Sequence, residues 1–119
     1  MKLQFLLILL IASTLLIASC TKSNNKSSLD NFAKCLTEKN VKFYGVFWCS
    51  HCANQKKLFE SSLKYVNYIE CSTPDGKGQL KICQDANIKG YPTWEFADSS
   101  RIEGEVSLQK LSEKSMCVL

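Results

Sequence analysis

The sequence has no block of basic residues, only one histidine and no internal repeat. Its 15 lysines and arginines are interspersed with 11 acidic residues, giving a formal net charge of +4, so nucleic-acid binding has no support. The 119 residues suffice for one domain with a modest core. They are too few for a multi-pass membrane protein or a large multidomain enzyme.

One long apolar stretch stands at the N-terminus. A lysine follows the first methionine, and residues 3–18 are almost all apolar, which is typical of a secretory signal. An uncleaved anchor is the alternative, although a spanning helix needs about 20 apolar residues. The sequence IASC, ending at Cys20, resembles the lipobox of bacterial lipoproteins. This resemblance implies a signal peptide at residues 1–19 and a lipid on the Cys20 sulfur.

The segment after Cys20 has the composition of a linker. Residues 20–28 contain the run TKSNNKSS without an apolar side chain, and we expect a flexible tether there. Residues 29–119 then form the domain, outside the cytoplasm, on the periplasmic or outer-surface side of the membrane that holds the lipid. Six further cysteines in an oxidising compartment favour disulfides over free thiols.

The pattern of apolar residues predicts an α/β domain. We expect helices at 29–40, 53–63, 80–87 and 108–116, and strands at 41–48, 66–71, 93–96 and 101–106. Two strands joined by a helix imply a parallel pair, and the short turn between the last two strands implies a hairpin. The prediction is a mixed four-stranded sheet flanked by helices.

The motif Trp48-Cys49-Ser50-His51-Cys52 stands where a predicted strand ends and a helix begins. The N–H groups and partial positive charge of a helix N-terminus favour a thiolate on Cys49. The two-residue spacer lets Cys52 close a disulfide with Cys49. His51 can stabilise that thiolate, which makes the pair a stronger oxidant. We therefore predict Cys49 as nucleophile, Cys52 as resolving cysteine and His51 as the residue that sets the potential.

A zinc site and a purely structural bridge are the alternatives for this motif. Zinc needs four ligands, whereas His51 is the only histidine and the chain has no second CxxC. A Cys49–Cys52 bridge closes so short a loop that it adds little entropic stabilisation. We therefore predict no metal and no organic cofactor.

A second motif, Gly90-Tyr91-Pro92-Thr93-Trp94, places Pro92 40 residues after Cys52. Together the two motifs resemble the thioredoxin superfamily over roughly residues 29–117. The resemblance implies a thioredoxin fold, here with an extra N-terminal helix, and a cis peptide bond before Pro92. It also implies that Tyr91 and Pro92 dock the substrate. Trp48 precedes Cys49 directly, and we predict it as a third substrate-binding residue at the border of the redox cysteines.

A narrower resemblance is to the thioredoxin-like domain fused to bacterial and plant homologues of vitamin K epoxide reductase. It is carried by the redox motif together with Phe32-Ala33-Lys34-Cys35-Leu36, Lys42-Phe43-Tyr44-Gly45, Glu70-Cys71-Ser72, Cys83 and Tyr91-Pro92-Thr93-Trp94-Glu95-Phe96. It implies that the domain oxidises protein thiols and is reoxidised by a quinone-reducing membrane oxidase. A lipid anchor would replace the fusion by raising the effective concentration at the membrane. We expect a monomer.

The chain departs from thioredoxin at one position. Thioredoxin has a buried aspartate six residues before its first redox cysteine, where this sequence has Phe43. Glu70 is the nearest alternative proton acceptor for Cys52. The departure and His51 favour an oxidase or isomerase. A reductase of the same fold and a non-catalytic copper- or zinc-binding module remain alternatives.

Four cysteines lie outside the redox motif. With Cys49 bonded to Cys52, they allow three pairings, and we favour Cys71–Cys83 with Cys35–Cys117. The first bridge would close the loop at residues 72–78, and the second would join the first and last helices. We expect structural bridges, although a relay of electrons through one of them is the alternative.

Overall fold

The computed structural model describes residues 24–119, so the predicted signal peptide and Cys20 lie outside the described residues. The helices are α1 (Asn24–Glu38), α2 (Ser50–Lys57), α3 (Lys81–Asp85) and α4 (Leu108–Ser115), with a 3-10 helix at Glu60–Tyr65. The strands are β1 (Lys42–Gly45), β2 (Tyr68–Glu70), β3 (Thr93–Glu95) and β4 (Arg101–Glu103). Within residues 24–119, no helix combines the length and the apolar character needed to cross a bilayer.

The four strands form one mixed sheet in the order β2-β1-β3-β4. Strand β1 runs parallel to β2, and β3 is antiparallel to both β1 and β4. In this register Phe43 of β1 lies opposite Tyr68 of β2 and Trp94 of β3. The predicted α/β architecture, a mixed four-stranded sheet flanked by helices, is confirmed.

Two apolar clusters follow from the alternation of side chains along β1. Phe43 belongs to the larger cluster and stacks on Trp94 with ring centroids 4.7 Å apart. The buried face of α1 and Leu111 of α4 complete that cluster. Tyr44, the next residue, belongs to the smaller cluster, which also contains Cys52. The sulfur of Cys52 therefore has a small apolar cluster of its own beside the main core.

Helix α1 begins earlier than the sequence predicted. It starts at Asn24, inside the segment expected to be a flexible tether, and no glycine or proline interrupts residues 24–28. The predicted end is confirmed, because Asn40 has a left-handed φ of 56° that a helix cannot continue.

The redox motif begins after a shorter strand than predicted. Strand β1 ends at Gly45, and the side chains of Phe47 and Trp48 are 57% and 58% exposed. The chain turns here because the Cys49 N–H donates to the Val46 carbonyl at 3.3 Å. The predicted helix over 53–63 is likewise divided, since Glu60, the first residue of the 3-10 helix, has a positive φ of 48°.

Candidate active site

Cys49 lies at the turn that joins β1 to α2. It is the N-cap residue of α2, with an extended backbone, and its carbonyl accepts the first helical hydrogen bond from Ala53 at 3.1 Å. Its side chain is partly exposed, and its Sγ lies 3.9 Å from the Tyr91 carbonyl oxygen. Because helix N-termini favour negative charge, this position suits a nucleophilic sulfur.

Cys52 lies one helical turn further on and is only 1% exposed. Burial raises the pKa of the Cys52 thiol to about 11, and the hydrogen bond and charge of Cys49 add to that effect. The backbone at Val46 and the Lys56 ammonium act in the opposite direction. Both cysteines are free in this structure, so it represents the reduced dithiol. An attacking group can reach Cys49 but not Cys52.

The predicted docking loop lies against Cys49. The peptide bond between Tyr91 and Pro92 is cis, and the Tyr91 carbonyl is the oxygen that faces the Cys49 sulfur. The Tyr91 hydroxyl accepts a hydrogen bond from Gln79 at 2.6 Å, and Gln79 also donates to the Ile88 carbonyl at 2.9 Å. These bonds hold the loop next to the redox motif.

His51 has a partner that the sequence did not predict. Its Nδ1 lies 2.7 Å from Oε1 of Glu105, and Asn54 donates to the same oxygen at 3.2 Å. These two interactions, that of His51 being the larger, hold the pKa of the Glu105 carboxyl below its usual range. No local pattern reveals Glu105, because it follows β4 and meets His51 only in the folded chain.

Gln55 is a second residue that sequence reasoning missed. It is fully buried, its Nε2 donates to the Val106 carbonyl at 2.9 Å, and its Oε1 accepts from the Val106 N–H at 2.7 Å. This bidentate contact fixes α2 to the segment after β4. Its position three residues after Cys52, on the inner face of the helix, is the sequence signal that could have found it.

Trp48 borders the site as an exposed ring. Its Nε1 donates to the Ser72 hydroxyl at 3.1 Å. A Cβ at Gly76, which has a positive φ of 72°, would lie 3.6 Å from the Trp48 ring and 3.7 Å from that of Phe47. The loop after β2 therefore supports both rings and leaves an apolar surface beside Cys49.

Glu70, the alternative proton acceptor, is held by three donors. Its Oε1 accepts from the N–H groups of Phe47 at 3.2 Å and Ser72 at 2.9 Å, and its Oε2 accepts from the Tyr68 hydroxyl at 2.7 Å. Burial, followed by the hydrogen bond and charge of Glu70, raises the pKa of Tyr68. Phe43, six residues before Cys49, is fully buried and has no group that could accept a proton.

The chain matches no protein-family model. It is 48% identical over 86 residues to the thiol-disulfide oxidoreductase LTO1 of Arabidopsis thaliana, covering 68% of this chain and 22% of that protein. It is 29% identical over 107 residues to a probable protein disulfide-isomerase ER-60 of Schistosoma mansoni, covering 87% of this chain and 21% of that one. A thioredoxin domain-containing protein 5 homolog of Drosophila melanogaster is 34% identical over 96 residues, which cover 70% of this chain and 21% of that protein.

These similarities agree with the mixed sheet, the CxxC at the start of α2 and the cis-proline that precedes β3. The chain carries a thioredoxin-like domain. It spans about a fifth of the length of the curated relatives described above.

Two disulfides brace the thioredoxin-like domain. Cys71 is bonded to Cys83 and Cys35 to Cys117, with Cα–Cα distances of 5.6 and 5.9 Å, and these are the pairs that the sequence favoured. Cys71 and Cys83 are fully buried and Cys117 is 2% exposed. The Cys71–Cys83 bridge is therefore enclosed, whereas Cys35 of the other bridge is partly exposed.

The structure brings Cys49 together with Cys52 and the Tyr91–Pro92 loop, but it turns the His51 ring toward Glu105. Among residues 24–119, no three cysteine, histidine or acidic side chains are grouped so that they could hold a metal ion.

Proposed function

We propose that the thioredoxin-like domain is a thiol–disulfide oxidoreductase that donates a Cys49–Cys52 disulfide to proteins outside the cytoplasm. The observation that carries this proposal is the position of the Cys49 sulfur, partly exposed and 3.9 Å from the Tyr91 carbonyl, with Cys52 buried behind it. An extended substrate that pairs with the backbone at Tyr91 would bring its sulfur to Cys49 alone.

The reaction proceeds through a mixed disulfide. A substrate thiolate attacks the Cys49 sulfur of the oxidised pair, the Cys49–Cys52 bond breaks, and Cys52 leaves as a thiolate that takes up a proton. A second substrate thiolate then attacks the substrate sulfur of the mixed disulfide and releases Cys49. The substrate loses two electrons and the domain gains them.

Membrane tethering completes the proposal. The signal-like residues 1–19 and the lipobox-like sequence ending at Cys20 support a lipid anchor on the outer face of a membrane. Such an anchor would keep the domain near a quinone-reducing membrane oxidase that restores the Cys49–Cys52 disulfide. The narrower family resemblance supports that partner.

A trapping experiment in the native host tests the function. Cys52→Ala leaves the mixed disulfide on Cys49 without its resolving thiol, so secreted proteins should accumulate as adducts that a reductant releases. The matched control is the double variant Cys49→Ala/Cys52→Ala, which should form none. If Cys52→Ala captures no more protein than this control, the domain does not exchange disulfides with protein substrates.

A further inference from the structure

The Cys52 sulfur has to exchange a proton with its surroundings in every catalytic cycle. It leaves as a thiolate when the disulfide is reduced, and it must lose its proton before the disulfide can form again. Its side chain is 1% exposed, so bulk water has little direct access to the sulfur. Phe43, two residues before Gly45 on β1, packs on the Tyr68 ring with centroids 5.0 Å apart, and its own ring can neither accept nor donate that proton.

Gly45 leaves a gap between Cys52 and a polar group of β2. A Cβ placed on Gly45 would lie 3.2 Å from the Cys52 sulfur, 3.2 Å from the Tyr68 hydroxyl oxygen and 2.8 Å from Cε2 of the Tyr68 ring. The sulfur and the hydroxyl therefore flank the same small volume. Any side chain larger than that of glycine would fill this volume.

The Tyr68 hydroxyl is held in place from two sides. It donates to Oε2 of Glu70 at 2.7 Å, and the Lys56 ammonium lies 3.7 Å from the centroid of the Tyr68 ring. The Glu70 carboxylate is fixed in turn by the backbone N–H groups of Phe47 and Ser72. Tyr68 and Glu70 are themselves only half-buried, so a proton that reaches Glu70 can pass on to solvent.

We propose that the Tyr68 hydroxyl, positioned by Glu70, transfers the proton of Cys52 during disulfide exchange. When the disulfide forms, the proton of the Cys52 thiol passes to the Tyr68 oxygen while the Tyr68 proton passes to the Glu70 carboxylate. The Cys52 thiolate then attacks the Cys49 sulfur of the mixed disulfide and expels the other sulfur as a thiolate. The reverse sequence protonates Cys52 when the domain donates its disulfide.

This assignment rests on the proposed function and explains three residues that the redox motif does not contain. Gly45 lets the Cys52 sulfur and the Tyr68 hydroxyl lie on either side of its Cα, Tyr68 transfers the proton, and Glu70 supplies the base. The charged and titratable groups around the Tyr68 ring and hydroxyl are Glu70, Lys56, Cys49 and Cys52. Burial raises the pKa of Cys52 to about 11. Near pH 7 the Cys52 thiol is therefore protonated, and a nearby base would speed the loss of its proton.

Single-turnover kinetics with oxidised glutathione test the proposal. The reduced full chain, purified in mild detergent, is mixed with this disulfide, quenched with acid and weighed by mass spectrometry. Formation of the glutathione adduct reports the attack by Cys49, and its decay reports the attack by Cys52. Tyr68→Phe should leave formation unchanged and slow the decay by about ten- to a hundredfold near pH 7.

The pH profile separates proton transfer from a structural effect. Without the hydroxyl, the decay rate should follow the fraction of Cys52 thiolate and rise about tenfold per pH unit between about pH 6 and pH 9. In the unmodified chain the rise should be shallower, because the Glu70 carboxylate assists. The matched control is Tyr65→Phe on the 3-10 helix, which should behave like the unmodified chain.

Each outcome is decisive for one claim. If Tyr68→Phe keeps both the decay rate and the pH profile of the unmodified chain, the Tyr68 route is wrong. If the unmodified chain forms no adduct on Cys49, the proposed function itself fails. If Tyr68→Phe does not fold, judged by its near-ultraviolet circular dichroism, Glu70→Gln gives the same measurement with both backbone N–H contacts retained. A steep pH profile in Glu70→Gln supports the route, and an unchanged profile overturns it.

Discussion

Nδ1 of His51 lies 2.7 Å from Oε1 of Glu105, an interaction that joins the middle of the CxxC motif to the segment after β4. The side chains of His51 and Glu105 are 69% and 40% exposed, so solvent screens the contact and its contribution to stability is small. Its importance lies in orientation, because it fixes one ring nitrogen of His51 beside a carboxylate.

Replacing His51 should change the titration of Glu105. His51 is the larger cause of the lowered pKa of the Glu105 carboxyl, so His51→Ala should move that pKa upward, toward the usual value. Asn54→Ala removes the smaller cause and should move it less. Carboxyl chemical shifts followed by nuclear magnetic resonance between about pH 2 and pH 7 measure both. An unchanged Glu105 titration in His51→Ala would show that the pair is absent in solution.

The reduction potential of the Cys49–Cys52 pair should identify the direction of electron flow. We expect a value above about −200 mV, since Cys49 stands at the N-terminus of α2, a position that favours negative charge and hence the reduced form of the pair. His51→Ala should give a more negative potential, while Lys57→Ala on the same helix serves as control. Equilibration of the chain in glutathione buffers supplies the values. A potential near about −270 mV, where thioredoxin lies, would favour a reductase instead.

The two redox cysteines should differ strongly in alkylation. Only thiolates react with iodoacetamide, and burial raises the pKa of Cys52 to about 11. Below that pH Cys52 remains mostly a thiol, so its rate should increase as the pH rises toward about 11, whereas Cys49 reacts first at neutral pH. Peptide mapping of the reduced chain after timed alkylation measures both rates. Equal rates near pH 7 would contradict the buried position of Cys52.

Loss of either structural disulfide should lower the free energy of unfolding. Cys71→Ala/Cys83→Ala opens a bridge across a sequence separation of 12 residues, which in the chain-entropy model costs about 3 kcal/mol. Cys35→Ala/Cys117→Ala opens a separation of 82 residues and should cost about 4–5 kcal/mol. Urea unfolding of the oxidised variants gives both values.

The same variants test for a relay of electrons through these bridges. Each variant that remains folded should still exchange disulfides through Cys49. Loss of exchange in a folded Cys71→Ala/Cys83→Ala chain would instead indicate that this buried pair carries electrons.

The order of helices and strands could be predicted from the sequence because it depends on local patterns of residues. Runs of β-branched and aromatic residues predicted the strands, and the helical spacing of Phe32, Ala33 and Leu36 predicted the buried face of α1. The first and last residues of these helices and strands were harder to predict. The end of β1 depends on a turn at residues 46–49, and the division after α2 depends on the positive φ of Glu60.

By itself the sequence determined the CxxC motif, its place at the start of a helix and the proline motif, because spacing along the chain encodes them. Only the tertiary structure decided which polar groups surround the two sulfurs. Glu105 reaches His51, and Tyr68 approaches Cys52 across Gly45, because parallel pairing of β1 with β2 and the fold of the segment after β4 bring distant residues together. Such contacts depend on register and side-chain direction, which one sequence does not specify.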